Sequence, residues 1–497
     1  MSRKFKVMGF LIILIIALSS QIQSVGMAMT SSNECDYQPN YYFRISPKHD
    51  WLIQLLDELN AIYTIYNSEI LTNLTKTQAA SIYLEVSKNK QITFEQIDQT
   101  QYENPGSYPF GSSLIITNQL ILDKAERGQQ ITAIIIDDDY YNDLSSYLLR
   151  YIEDVMNYFY QVSFQIYHPK YSDFNSPEEV RSFFQQLHYD EGVNGAIIIG
   201  KLKYANFELP WEEVATLALF YEDLDGIFLD KENDGIYDYR DWGPNKGIEM
   251  WTSWIIPPSE DSINYLRSYF DKTHQYYTNE DMLFRNALLT VNEDWCGVQD
   301  GALGDAFNST YGGKWDFLGC DSTPDAYVSE FIELWRNNNY QALNIWAHSS
   351  FHGHYFDWDN SQPPGNYLSA FELGSLQNGP QFSIVFGCGC MNLSYDPENS
   401  LSTWYIMGEN NGMSAIGTTR SIGLPEQEYL IENISTTQNL GELIFNYLNI
   451  YTSEEYISSR YPDEVHTFVW DVIFVGNPYL FRHPNYQFIN YFPLIER

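Results

Sequence analysis

The sequence predicts an α/β protein: two lobes of mostly parallel sheet flanked by helices. Three observations carry that expectation. From residue 130 onward, short β-branched runs alternate with amphipathic stretches, the pattern of parallel strands joined by crossover helices. Two later apolar runs, Ala342–Trp346 and Phe382–Phe386, have the length and side-chain types of buried strands. Each leads into a residue able to do chemistry, His348 after the first, Cys388 and Cys390 after the second.

At the start of the chain, SRKFK is basic, Val7–Leu18 is almost wholly apolar, and small and polar residues follow, with Gly26 and Ala28 offering a cleavage point. This pattern predicts a secretory signal over residues 1–28. The apolar run is well short of the roughly 20 residues that span a bilayer. The expectation is therefore a secreted or cell-surface, extracytoplasmic protein with no stable membrane insertion once the signal is removed. Residues 29–130 read as an N-terminal extension or a propeptide-like region. Within it, Trp51–Ile70 places apolar residues at helical spacing and predicts an amphipathic helix.

A formal net charge of −38 over 497 residues would repel a polyanion and argues against nucleic acid as a partner. The 40 tyrosines and 12 tryptophans supply ample material for a core. Five cysteines are an odd number, so an oxidising compartment leaves one thiol over, with Cys390 as the candidate. Cys296 and Cys320 could pair across a loop. Sequons stand at Asn73, Asn308, Asn392 and Asn433.

The first lobe is expected over 131–257. Ile131–Asp137 reads as a strand, Leu144–Phe159 as a helix and VSFQIYH as a second strand. The helix after it opens with Ser176 as N-cap, Pro177 at the first helical position and acids in the first turn. Val193–Gly200 is a third strand, and no GxGxxG or GK[ST] signature accompanies its glycine. Residues 230–241, DKENDGIYDYRD, then place oxygen ligands at alternating positions: Asp230, Glu232, Asp234, the carbonyl of Ile236, Asp238 and Asp241, with Gly235 at the turn. That is the spacing of a calcium loop. No helices are evident on either side, so it resembles the loop and not a whole EF-hand. The expectation is structural calcium and no organic cofactor, the alternative being a solvated acidic turn. Upstream, Tyr221–Gly226 could add ligands.

Trp251–Ile256 reads as a buried strand ended by Pro257-Pro258, the natural boundary to a second lobe over 258–497. A helix is expected over Asp261–Tyr277, then a strand within NALLTVNEDW that ends at Glu293 and Asp294. A long Gly-rich loop holding Cys296, Asp300, Asp305 and Cys320 follows. Helix Asp325–Asn338 leads to the His348 strand.

The order is a strand with acids, a Gly-rich loop, a helix, a hydrophobic run ending in His348-Ser349, and a second run ending in Cys390-Met391-Asn392. GMSAIGTTRS and FVGNPYL come after it. Over roughly 131–482 this resembles the gingipain-type cysteine peptidases of the wider caspase and legumain clan. The resemblance implies a caspase-like fold, a protein or peptide substrate, Cys390 as nucleophile and His348 as its catalytic histidine. It implies an orienting acid at Glu293 or Asp294, and a substrate-binding acid at Asp300 or Asp305. The backbone N–H groups of Ser349 and Cys390 would form the oxyanion hole. Two departures stand out: Ser349 occupies the place of a usual glycine, and Asn477 that of a usual aspartate.

Two other classes compete. His348, His352 and His354 with Asp357, and Cys388-x-Cys390, could form a zinc site, which would make a metallohydrolase, although no HExxH is present. The third class is a non-catalytic calcium-binding ectodomain on a peptidase-like fold. Oligomeric state is not legible in the sequence.

Overall fold

The computed structural model describes residues 130–159, 162–208, 214–319, 324–356, 366–386, 400–419, 423–460 and 471–481, and the backbone of five strands between 41 and 116. The expected signal segment lies outside the described residues. The chain divides into two compact units, Met1–Thr117 and Asn118–Arg497.

The first unit holds an antiparallel four-stranded sheet in the spatial order 62–66, 69–74, 41–46, 93–96. This corrects the expected helix over Trp51–Ile70. Its second half is instead the strand Ile62–Tyr66, which pairs with Glu69–Leu74 so that Tyr66 lies opposite Glu69. The reason is in the side chains: Ile62, Thr64 and Ile65 are β-branched and Tyr63 and Tyr66 aromatic, residue types that lose rotamer freedom in a helix and fit a pleated surface. Residues 51–61 lie outside the described residues.

The second unit is α/β, with a large, mostly parallel ten-stranded sheet flanked by helices. Its first half contains β1 (Gln130–Ile136), α1 (Asp138–Tyr158), β2 (Val162–Tyr167), α2 (Pro177–Glu191), β3 (Gly195–Ile199) and β4 (Trp251–Ile255). Then come α3 (Ser262–Thr278), β5 (Ala287–Val291), α4 (Ala302–Tyr311), β6 (Trp315–Gly319), α5 (Pro324–Asn337), β7 (Asn339–Trp346) and β8 (Gly379–Phe386). The chain closes with α6 (Leu401–Met407), β9 (Ser414–Thr418), α7 (Gln427–Asn433), α8 (Leu440–Tyr451), α9 (Glu454–Arg460) and β10 (Val472–Gly476).

The sheet order is β6-β5-β7-β8-β9-β10-β4-β3-β1-β2. In both halves the first strand laid down is flanked by the second on one side and the third on the other, with the fourth beyond the third. All neighbours run parallel except β9 and β10. The halves therefore point in opposite directions within one continuous sheet. The edge that carries the carboxyl ends of β5, β7 and β8 also carries the amino ends of β10, β4 and β3.

These strands are buried on both faces, as parallel strands between helix layers must be: β3, β4, β5, β9 and β10 are buried at every position. Trp251 and Trp254 of β4 are among the largest fully buried side chains. Gly195 on β3 makes room for one of them, since a Cβ there would lie 2.0 Å from the Trp251 ring.

The starts of α2, α3 and α5 are read to within a residue from the sequence, that of α1 and the Gly-rich loop poorly. Asp137 caps α1, accepting from the Asp139 amide at 3.1 Å, so that helix begins a turn and a half before the expected Leu144. Pro177 opens α2 as expected, but the Ser176 hydroxyl makes no capping bond. The stretch expected as a loop after Asp294 contains α4 and β6. Leu303, Ala306, Phe307 and Tyr311 are the buried face of α4, a helical spacing that the glycines around it obscure.

Candidate functional site

In each half the connections from the first and third strands leave in opposite directions. The carboxyl ends of that pair form the crevice where open α/β sheets bind ligands. In the second half the pair is β5 and β7. Asn292 follows β5, and its amide donates to the Trp346 carbonyl at 2.8 Å. Its side chain accepts from the Glu293 amide at 2.6 Å, opening a short 3-10 turn over Glu293–Trp295. This turn delivers Asp294 to the end of β7.

There, His348 begins a hairpin in which His348–Ser350 pairs with Gly353–Tyr355, and Tyr367–Ser369 adds a third strand. Strand alternation sends His348 and Ser349 to opposite faces. The His348 Nε2 lies 2.7 Å from Asp294 Oδ2, with the imidazole largely buried (13 % exposed) and the carboxylate half open to solvent (46 %). The Trp295 ring packs on the imidazole with centroids 4.7 Å apart and edge-on to Phe386 at 5.6 Å. Trp346 and Phe386 stack at 3.9 Å across β7 and β8. The imidazole is thus held by a carboxylate on one ring atom and by an aromatic wall, an arrangement that fixes tautomer and direction.

Ser349 and His354 are cross-strand partners on the inner face. The His354 Nδ1 lies 2.7 Å from Ser349 Oγ and its Nε2 2.8 Å from the Tyr405 hydroxyl. Burial pushes His354 down to about 3, so the ring is neutral at ordinary pH. Both its nitrogens are engaged by hydroxyls. Among the described residues, His348, His352 and His354 do not form a group that could hold a metal.

Of the two expected acids, Asp294 meets the histidine; Glu293 is exposed at the start of the same turn. Asp300 ends a 3-10 turn, 3.4 Å from Gln299 Nε2, and Asp305 is exposed in the first turn of α4. Cys296 is disulfide-bonded. Cys320, Asp357, Cys388 and Cys390 lie outside the described residues. Asn477 is buried, accepting from Tyr151 Oη at 2.8 Å and donating to Tyr277 Oη at 3.1 Å. A carboxylate could accept there but not donate, which accounts for an amide at this position.

The acidic loop at 230–241 turns on Gly235, at φ 91°. Three of its carboxylates are aimed at its own backbone: Asp230 accepts from the Asp234 and Gly235 amides, Asp234 from Ile236, and Asp238 from Lys231. Glu232 is exposed, and Asp241 ends the strand Tyr239–Asp241. The carboxylates that converge are upstream, where Asp223, Asp225 and Glu249 bring ligand oxygens within 4.8 Å of one another and could hold a metal ion of unspecified kind. Asp223 also pairs with the fully buried Arg240, at 2.6 Å. The sequence offered Asp223 and Asp225 within Tyr221–Gly226; Glu249, brought in by the return of the chain into β4, carried no local signal. Trp295 and Tyr405 were also missed, because aromatic residues at such positions read as core.

No helix among the described residues is long and apolar enough to cross a membrane. The chain matches no protein-family model and no curated protein at a significant level.

Proposed function

We propose that the protein is an exported cysteine endopeptidase of the gingipain type, with a caspase-like arrangement of the second half. The observation that carries the reading is the Asp294–His348 pair, 2.7 Å apart at the crevice between β5 and β7. The neighbouring strand β8 runs on in sequence to Cys390. A histidine oriented by a carboxylate, on a strand end next to one that leads to a cysteine, is the layout nucleophilic thiol chemistry needs.

In this mechanism the Cys390 thiolate attacks the carbonyl carbon of a peptide bond. The backbone N–H groups of Ser349 and Cys390 stabilise the oxyanion, each donor contributing about 3 kcal/mol. His348, held by Asp294, donates its proton to the departing amine, leaving an acyl-enzyme. It then takes a proton from the water that releases the acid and restores the thiol. Asp300 or Asp305 supplies an acidic contact for the substrate. A calcium ion would be held in the acidic excursion between β3 and β4, by the 230–241 loop or by Asp223, Asp225 and Glu249, and would have a structural role.

The deciding experiment is hydrolysis of a mixed peptide library by wild type, Cys390→Ala, His348→Ala and Asp294→Asn, with iodoacetamide mapping of the labelled thiol. The expectation is selective labelling of Cys390 and loss of hydrolysis in the first two variants. Asp294→Asn lowers kcat by up to about 10⁴-fold, because the imidazole stays but loses its charged partner. Hydrolysis that survives Cys390→Ala and stops with a zinc chelator would overturn the thiol mechanism. A folded wild type with no hydrolysis would point to the non-catalytic ectodomain.

A further inference from the structure

The buried imidazole of His354 sits between two segments that the proposed chemistry must hold in register. One is the first strand of its own hairpin, which carries His348 and Ser349, and the other is α6, which begins directly after the stretch of chain containing Cys390. The bond from Ser349 to the Ala347 carbonyl gives the relay a direction. Ser349 Oγ donates to the Ala347 carbonyl at 3.1 Å, so it accepts from His354 Nδ1–H. The neutral ring then has a bare Nε2, which accepts from the Tyr405 hydroxyl at 2.8 Å. Tyr405, His354 and Ser349 are all buried. A second bond runs parallel to this relay, from the Leu401 amide at the start of α6 to the Phe351 carbonyl at 2.7 Å.

Helix α6 is itself fixed at both ends. Thr403 Oγ1 donates to the Ile256 carbonyl at the end of β4. The Lys272 ammonium donates to the carbonyls of Ile406, Gly408 and Asn410 at 2.9, 3.2 and 3.0 Å. The hairpin is tied on its other side, the Ala347 amide donating to the Phe386 carbonyl at the end of β8. The two strand ends and α6 therefore form one frame, and the relay is its buried polar crosspiece.

We propose that His354 and Tyr405 are positioning residues: through Ser349 they set the direction of the His348 hairpin and of the Ser349 backbone N–H. The inference rests on the peptidase reading for its chemical purpose, but the coupling of hairpin to helix can be measured without substrate. A glycine after the histidine, as the resembling family has, could not take part; the serine hydroxyl ties the first strand of the hairpin to His354, whose other nitrogen reaches α6.

The test uses the full chain with Tyr405→Phe, which deletes one hydroxyl and keeps the ring, and His354→Asn, which keeps a donor where Nδ1 stands. Hydrogen exchange is followed over residues 348–355, together with kcat, KM and the melting temperature. In Tyr405→Phe we expect exchange in the hairpin to rise about tenfold, with other segments unchanged, and kcat to fall about tenfold with KM within about twofold. His354→Asn, retaining the Ser349 bond, should recover part of the lost kcat relative to His354→Ala. Unchanged hairpin exchange, or a lowered melting temperature with full kcat in the folded fraction, would overturn the positioning role. If the wild type hydrolyses nothing, the peptidase reading fails on that result, while the exchange arm still decides whether the relay orders the hairpin.

Discussion

A single carboxyl shows how burial reads out in this molecule. Glu222 is buried, its Oε1 accepting from the Thr252 amide at 3.0 Å and from the Thr252 hydroxyl at 2.7 Å. Desolvation wins over those two bonds and pushes the group up to about 7. The folded protein thus keeps a proton that the unfolded chain has already released above the ordinary value of 4.5. Where the folded state holds more protons, stability falls as pH rises. The loss runs from pH 4.5 to 7, amounts to roughly 3 kcal/mol and is complete above that window. His354 acts with the opposite sign: its lowered value means stability is lost as pH falls from the ordinary histidine range towards 3. Comparing wild type with Glu222→Gln isolates the carboxyl. Urea denaturation at pH 5 and pH 8 should show the variant losing less stability on going to pH 8, and equal losses in both proteins would remove Glu222 from the account.

At the scale of elements, the excursion between β3 and β4 carries two candidate cation positions of different kinds. The 230–241 loop has the calcium spacing in its sequence, yet the carboxylates of Asp230, Asp234 and Asp238 already accept from the loop's own amides. Asp223, Asp225 and Glu249 converge in space, and Arg240 offsets part of their charge. Two substitutions separate them, with the melting temperature measured in calcium and in chelator. If the convergent group holds the ion, Asp225→Asn abolishes the calcium-dependent rise and Asp234→Asn leaves it intact. If the loop holds it, the pattern reverses. No rise in wild type would dispose of a calcium site in this excursion altogether.

At the scale of the whole molecule, the second unit stands on one strand from the end of the chain. β10 lies between β9 and β4, antiparallel to the first and parallel to the second. All five of its residues are buried, so it is the seam that makes two half-sheets into one. Neither half is complete without it: the first half needs β10 beside β4, and the second needs it beside β9. A chain ending before Asp471 should therefore lose cooperative folding of this unit, visible as loss of a single sharp thermal transition in circular dichroism. A truncated protein that melts sharply near the wild-type temperature would show that the two halves are independent.

Much of this was legible in the sequence because it depends on local pattern. β-branched runs between amphipathic stretches predict β1, β2, β3, β4, β7 and β8, and the strand ends at Asp294 and His348 follow from where those runs stop. Local pattern failed where two signals compete. Glycines hid α4 and β6, and helical spacing in Trp51–Ile70 hid a pair of strands.

What the sequence determined by itself is the kind of sheet and which residue types stand at its strand ends, because side-chain period and residue type are properties of short segments. Only tertiary structure decided that Asp294 and not Glu293 meets His348, that His354 faces inward to Tyr405, and that Glu249 joins Asp223 and Asp225. Each of these pairs is distant in sequence or depends on which face of a strand or turn a side chain occupies. Strand order, the antiparallel seam at β10 and the alternation of faces fix them, and no short segment contains that information.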